Sequence, residues 1–118
     1  MQRDPYAFLW DVREVAIAIQ TFTEGTDAAS YAATEMAPAA VEREFEIMGE
    51  ALNQLFKMDA LLAARIPDTA QIIAFRNQLI HGYANVNAGT VWNVVQLSLP
   101  NLLASVKLVL QEPGEAED

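Results

Sequence analysis

Apolar residues recur at steps of three and four along most of this chain, the spacing that lines one face of an α-helix. Phe8, Val12, Val15, Ile19 and Phe22 form the first such stripe. Pro5 suits the first turn of a helix starting near Asp4, where its missing N–H costs nothing, and Gly25 in "TEGTD" can close the segment. The stretch "TDAASYAATEMAPAA" reads as a polar, small-residue connection punctuated by Pro38. A second helix is predicted from about Pro38 to Ala63. Val41, Phe45, Met48, Leu52 and Leu55 make its stripe, and Ile47, Ala51, Met58 and Leu62 widen it. So broad a stripe predicts burial on two sides, against the core and against a partner subunit. Glu42, Arg43, Glu46, Glu50 and Lys57 fall on the wet face.

"RIPDTAQ" interrupts the pattern, and Asp68 or Thr69 is the expected N-cap of a third helix carrying Ile72, Ile73, Phe75, Leu79 and Ile80. It should end at "HGYANVNAG". Asn87 or Thr90 can open a fourth, with an apolar series running from Val91 to Val109 and Pro100 expected to kink or restart it. No alternating β-branched run lies between turn signals. The pattern therefore predicts an all-α, up-down bundle of four to five helices.

A chain of 118 residues with 53% hydrophobic content is one domain, expected over residues 1–111, with a real core. The last residues, 112–118, carry Pro, Gly and acids and read as a disordered tail. No apolar run approaches the roughly 18 residues of a membrane span, because Glu, Arg, Asn or Gln break the longest candidates. The N-terminus has no signal-peptide core, so a cytoplasmic location is the expectation. Absence of cysteine rules out disulfides and thiolate metal sites. The net charge of −9 argues against a general nucleic-acid binder; Glu112, Glu115, Glu117 and Asp118 supply −4 of it, leaving −5 for the body of the protein.

Against this background the segment "AFRNQLIHGYANV" is unusual, because it gathers Arg76, Asn77, Tyr83 and the chain's one histidine, His81. Taken singly, each is an ordinary residue of an amphipathic helix. Trp10 and Trp92 read as core aromatics rather than stacking platforms, Glu42, Glu46 and Glu50 as a solvated face, and Gly49 as a point of close helix packing. Together, the four suit a phosphodiester. Arginine is a permanently charged fork for phosphate oxygens. Histidine exchanges a proton near neutral pH. Asn77, one turn before His81, can orient its ring by hydrogen bond. RNA brings its own nucleophile, the 2′-hydroxyl, so a base and a charge clamp suffice without metal or other cofactor. Arg76 and His81 are five residues apart and point about 140° away from each other on a regular helix. They can converge on one ligand if the helix unwinds near Gly82, or if a second copy of the chain supplies the missing group across a two-fold axis.

The order "RDPYAFLWDV", "VEREFEIMGEAL", "RNQLIHGYANVNAGTVW" and then "LP" before a last helix resembles the HepT-like family of the HEPN superfamily, from about Arg3 to Leu110. Its R-x-x-x-x-H-x-Y core is met by Arg76, His81 and Tyr83. The resemblance implies a helical homodimer that is the toxin of a type VII-like toxin–antitoxin pair and a metal-independent endoribonuclease, with Arg76 and His81 as the catalytic pair. It also implies an MntA-like minimal nucleotidyltransferase as antitoxin partner, which neutralises the toxin by AMPylation of Tyr83. A non-catalytic alternative is a dimeric scaffold subunit that binds a nucleotidyltransferase through its acidic surface.

Overall fold

A computed structural model of the chain describes residues 4–33, 36–81 and 88–111. All its regular structure is helical, and no strand occurs among the described residues. The first helix, α1, spans Pro5–Thr23. Asp4 caps it: its carboxylate accepts the Tyr6 N–H at 2.8 Å, and Pro5 occupies the first turn. Gly25 follows with φ 73, the left-handed conformation expected of a helix stop. Replacing Asp4 with alanine should lower the free energy of unfolding by about 1 kcal/mol, measurable by denaturant titration.

The buried line on α1 is rotated from the predicted stripe. Leu9, Val12, Ala16, Ile19 and Thr23 advance in alternating steps of three and four and face the core, whereas Phe22 is 47% exposed. Thr23 tolerates burial because its hydroxyl donates to the Ile19 carbonyl at 2.9 Å. Trp10 lies at the surface, with the Arg13 guanidinium 3.9 Å above its ring, so it is not the core aromatic its residue type suggests.

The segment read as a polar connection contains a short helix, α2, Ala28–Ala33. Asp27 accepts the Ser30 N–H at 2.8 Å, and that hydrogen bond holds its carboxyl below the ordinary range. Tyr31 is what anchors the helix: it is buried, with its ring centroid 5.1 Å from that of Trp92. Burial, with the charge of Glu42 adding, pushes its phenol up to about 12. The neutral phenol is thus favoured in the fold, while the unfolded chain releases the proton near pH 10. Stability should fall as pH rises from about 10 toward 12, and Tyr31→Phe should show a shallower fall in denaturation at those pH values.

The central helix, α3, spans Met36–Met58, and its predicted stripe from Val41 to Leu55 is fully buried. It stops before Ala63. Asp59 breaks it and caps a separate turn, α4, Ala60–Ala63, by accepting the Leu62 N–H at 3.0 Å. After a bend in which Asp68 takes φ 63, α5 runs Thr69–His81. The Asp68 carbonyl accepts its first bond from the Ile72 N–H at 2.9 Å, while the Thr69 hydroxyl donates back to Ile66 and Ala63 and ties the bend down.

The last helix is continuous over Ala88–Leu110 but not uniform. α6, Ala88–Asn93, passes through a π turn, Val94–Ser98, into α7, Leu99–Leu110. Proline has no N–H to donate, and its ring clashes with the carbonyl one turn back. The wider π turn just before Pro100 relieves that conflict, and the α-helix restarts at Leu99 with Pro100 in its first turn. Because the two halves join, the helix is long and apolar enough to cross a bilayer by length and composition, contrary to the sequence expectation. Its apolar side, including Val95, Leu99, Leu102 and Val106, is spent on the core. α3 lies at the centre with α1 and α5 on it, and α7 packs on α1. Phe45 and Phe75 meet edge to face across α3 and α5, centroids 5.3 Å apart.

Candidate functional site

The contact between α3 and α5 places the candidate arginine. Gly49 is buried on α3, and Arg76 of α5 lies directly against it. A Cβ at position 49 would run into the Arg76 Cβ, would stand 2.7 Å from Arg76 Cγ and would come within 3.3 Å of the Ile72 carbonyl oxygen. Close helix packing at this glycine, expected from sequence, thus has a specific content: it makes room for the stem of Arg76.

The guanidinium is held at both terminal nitrogens. Nη2 donates to Glu50 Oε1 at 2.6 Å, and Nη1 donates to Asn77 Oδ1 at 2.9 Å. The other oxygen of Glu50, Oε2, accepts Gln54 Nε2 at 2.8 Å. The Arg76 Nε is buried without a hydrogen-bond partner among the described residues. The Arg76 side chain is 23% exposed and that of Glu50 45%, so the cluster is open to solvent on one side.

His81 is exposed and ends α5, which stays α-helical throughout Thr69–His81. The five-residue separation therefore keeps its geometric meaning: Arg76 and His81 leave the helix in directions about 140° apart. No unwinding occurs between them. Asn77, predicted to orient His81, has its oxygen turned to Arg76. Tyr83 lies outside the described residues, as do Gly82, Asn87 and the acidic segment 112–118.

Glu50 and Gln54 are the participants that sequence reading missed. By spacing alone Glu50 belongs to the wet face with Glu42 and Glu46. The available signal was its position directly after Gly49, the residue that receives an opposing helix. Its neighbours do behave as a partly solvated acidic face: Glu46 pairs with Arg43 at 3.4 Å, and burial together with the Glu46 charge raises the Glu42 carboxyl. No group of three or more carboxylate or imidazole side chains that could hold a metal occurs among the described residues. Beside the cluster, Asn53, Phe56, Ile73, Ala74 and Asn77 line part of a groove of about 570 Å³ between α3 and α5.

Known proteins show similarity along most of the chain. The family model described as "Ribonuclease HepT-like" matches residues 12–109. The chain is 30% identical over 113 residues to "Putative RNase MJ1380" of Methanocaldococcus jannaschii, covering 92% of this chain and 98% of the relative. It is 27% identical to "Putative RNase MJ1216" of the same organism, covering 94% and 91% of the two chains. It is 28% identical to "Probable ribonuclease HepT" of Thermococcus cleftensis, covering 86% and 92%. No solved structure gives a significant match.

Proposed function

The chain belongs to the ribonuclease HepT-like family, and on that premise we propose that it is a metal-independent endoribonuclease toxin that works as a cytoplasmic homodimer. Arg76 clamps the scissile phosphate and His81 moves the proton. The imidazole takes the proton of the 2′-hydroxyl, and the 2′-oxygen attacks the adjacent phosphorus. The bond to the 5′-oxygen breaks and that oxygen takes up a proton, from the imidazolium or from water, leaving a 2′,3′-cyclic phosphate and a 5′-hydroxyl. The guanidinium stabilises the extra negative charge on the phosphoryl oxygens as the new bond forms.

The observation that carries the dimeric part is the regular helix between Arg76 and His81. Side chains about 140° apart on one rigid helix do not close on one phosphate. A two-fold axis near the end of α5 brings Arg76 of one protomer toward the partner's His81 and builds the site twice. Ile80, beside His81, is 49% exposed, which supports apolar contact there.

Neutralisation is proposed to follow from a nucleotidyltransferase antitoxin that adds AMP to Tyr83. Two residues from His81, such a group would bring phosphate charge and bulk to the cleft and occupy the clamp that RNA requires. Intact mass of protein co-expressed with an MntA-like nucleotidyltransferase tests this. Increments of roughly 329 Da lost in Tyr83→Phe are expected, alongside loss of RNA cleavage; this mass is that of the transferred nucleotide. Unmodified protein with unchanged cleavage would end the AMPylation reading. The acidic face of α3 and the net charge of −9 favour the second reading, a non-catalytic subunit that docks the transferase. That reading is selected if the pair co-purifies and the isolated protein leaves RNA intact.

A further inference from the structure

We propose that Glu50 is a positioning residue that fixes the orientation of the Arg76 guanidinium, with Gln54 bracing it from behind. The catalytic consequence rests on the ribonuclease reading above; the orienting role rests on the contacts themselves.

Arg76 is constrained along its whole length. Its first carbons lie on the bare backbone of Gly49, and its Nε is buried. An arginine held only there could still swing its terminal nitrogens about the last bonds. Glu50 removes that freedom by taking Nη2 at 2.6 Å, and Asn77 takes Nη1 at 2.9 Å. Glu50 is in turn kept from turning away, because Gln54, one turn along α3, donates to its second oxygen at 2.8 Å. Each terminal nitrogen carries two hydrogens. Among the described residues one on each is used, which leaves one on each for phosphate oxygens. The cluster thus presents a preset donor group from a side chain that otherwise has many rotamers, which removes an ordering cost from the reacting complex.

The pair also has a cost for binding. A carboxylate beside the guanidinium lowers the local positive potential that attracts the phosphate chain. Orientation and attraction therefore pull in opposite directions. Removing the carboxylate should weaken turnover without weakening ground-state binding. A mere surface ion pair contributes little either way.

The experiment is steady-state cleavage of a single-stranded RNA in EDTA by wild type, Glu50→Gln, Glu50→Ala, Arg76→Ala and the Glu50→Ala/Arg76→Ala double variant, each first shown to be folded by its melting curve. Glu50→Ala should lower kcat about tenfold or more with no rise in KM, in line with the cost of misplacing a reacting group. Glu50→Gln, which keeps a hydrogen-bond acceptor, should retain more of the rate. In the Arg76→Ala background the second change should add nothing, because Glu50 acts through Arg76. Wild-type kcat in Glu50→Ala, or an equal loss in both backgrounds, overturns the inference while leaving the ribonuclease reading intact. If Arg76→Ala itself cleaves like wild type, the ribonuclease reading fails instead, and NMR decides the orienting role. The Arg76 Nε–H should exchange slowly in wild type and faster in Glu50→Ala; equal exchange in the two overturns the proposal.

Discussion

Replacing Arg76 with alanine is expected to lower kcat for RNA cleavage by about a hundred- to a thousandfold, the usual loss when a group that stabilises transition-state charge is removed. The loss should fall mainly on kcat, because charge accumulates on the phosphoryl oxygens only as the 2′-oxygen bonds to phosphorus. KM should rise less, since other parts of the RNA remain bound. Arg76→Lys should not restore the rate. An ammonium cannot keep one donor on Glu50 and one on Asn77 while presenting a planar pair to the phosphate. The fold should survive, because Glu50 is 45% exposed and water can replace its lost partner. Rapid-quench or gel-based cleavage in EDTA, with melting curves of the same preparations, checks both halves.

The second large effect is expected at a residue that touches no substrate. Gly49→Ala should destabilise the protein, and Gly49→Val should do so more. In an ordinary helix interior, alanine in place of glycine gains about 0.5–1 kcal/mol. Here the added methyl meets the Cβ and Cγ of Arg76 and the Ile72 carbonyl, with backbone on one side and the root of a side chain on the other. Neither can swing clear as the far end of a flexible chain could. Overpacking of this kind costs about 1–3 kcal/mol, which outweighs the propensity gain. α5 must then move from α3, and Arg76 leaves the reach of Glu50. The expected result is a lower denaturant midpoint at unchanged slope, with cleavage lost beyond what the fraction unfolded explains. A stabilised Gly49→Ala would show that the contact yields easily.

Much of the fold was legible because the central helix declares itself: Val41 through Leu55 step along one face and all are buried. The misreadings have local causes. Phe8 and Phe22 attract a stripe by size, yet the core took the line through Ala16 and Thr23, where small or self-satisfied side chains let helices approach. Tyr31 turns an apparent linker into a helix because its ring finds Trp92, a partner far along the chain. The bulge before Pro100 is a tertiary choice that propensity does not encode. At the candidate site, residue type and spacing single out Arg76, Asn77 and His81, of which a hydrogen bond joins Arg76 to Asn77, and Gly49 was legible by its place in a helix. Glu50 was not, since an acid at four-residue intervals looks like any solvated face until the opposing arginine is known.

On the proposed mechanism, RNA breakage under chelation depends on guanidinium and imidazole together. The most direct measurement is cleavage of total RNA in EDTA by purified wild type beside the Arg76→Ala/His81→Ala double variant, with product ends mapped. The account predicts fragments ending in 2′,3′-cyclic phosphate from wild type and none from the double variant. Equal fragmentation by both, or intact RNA with both, would contradict it.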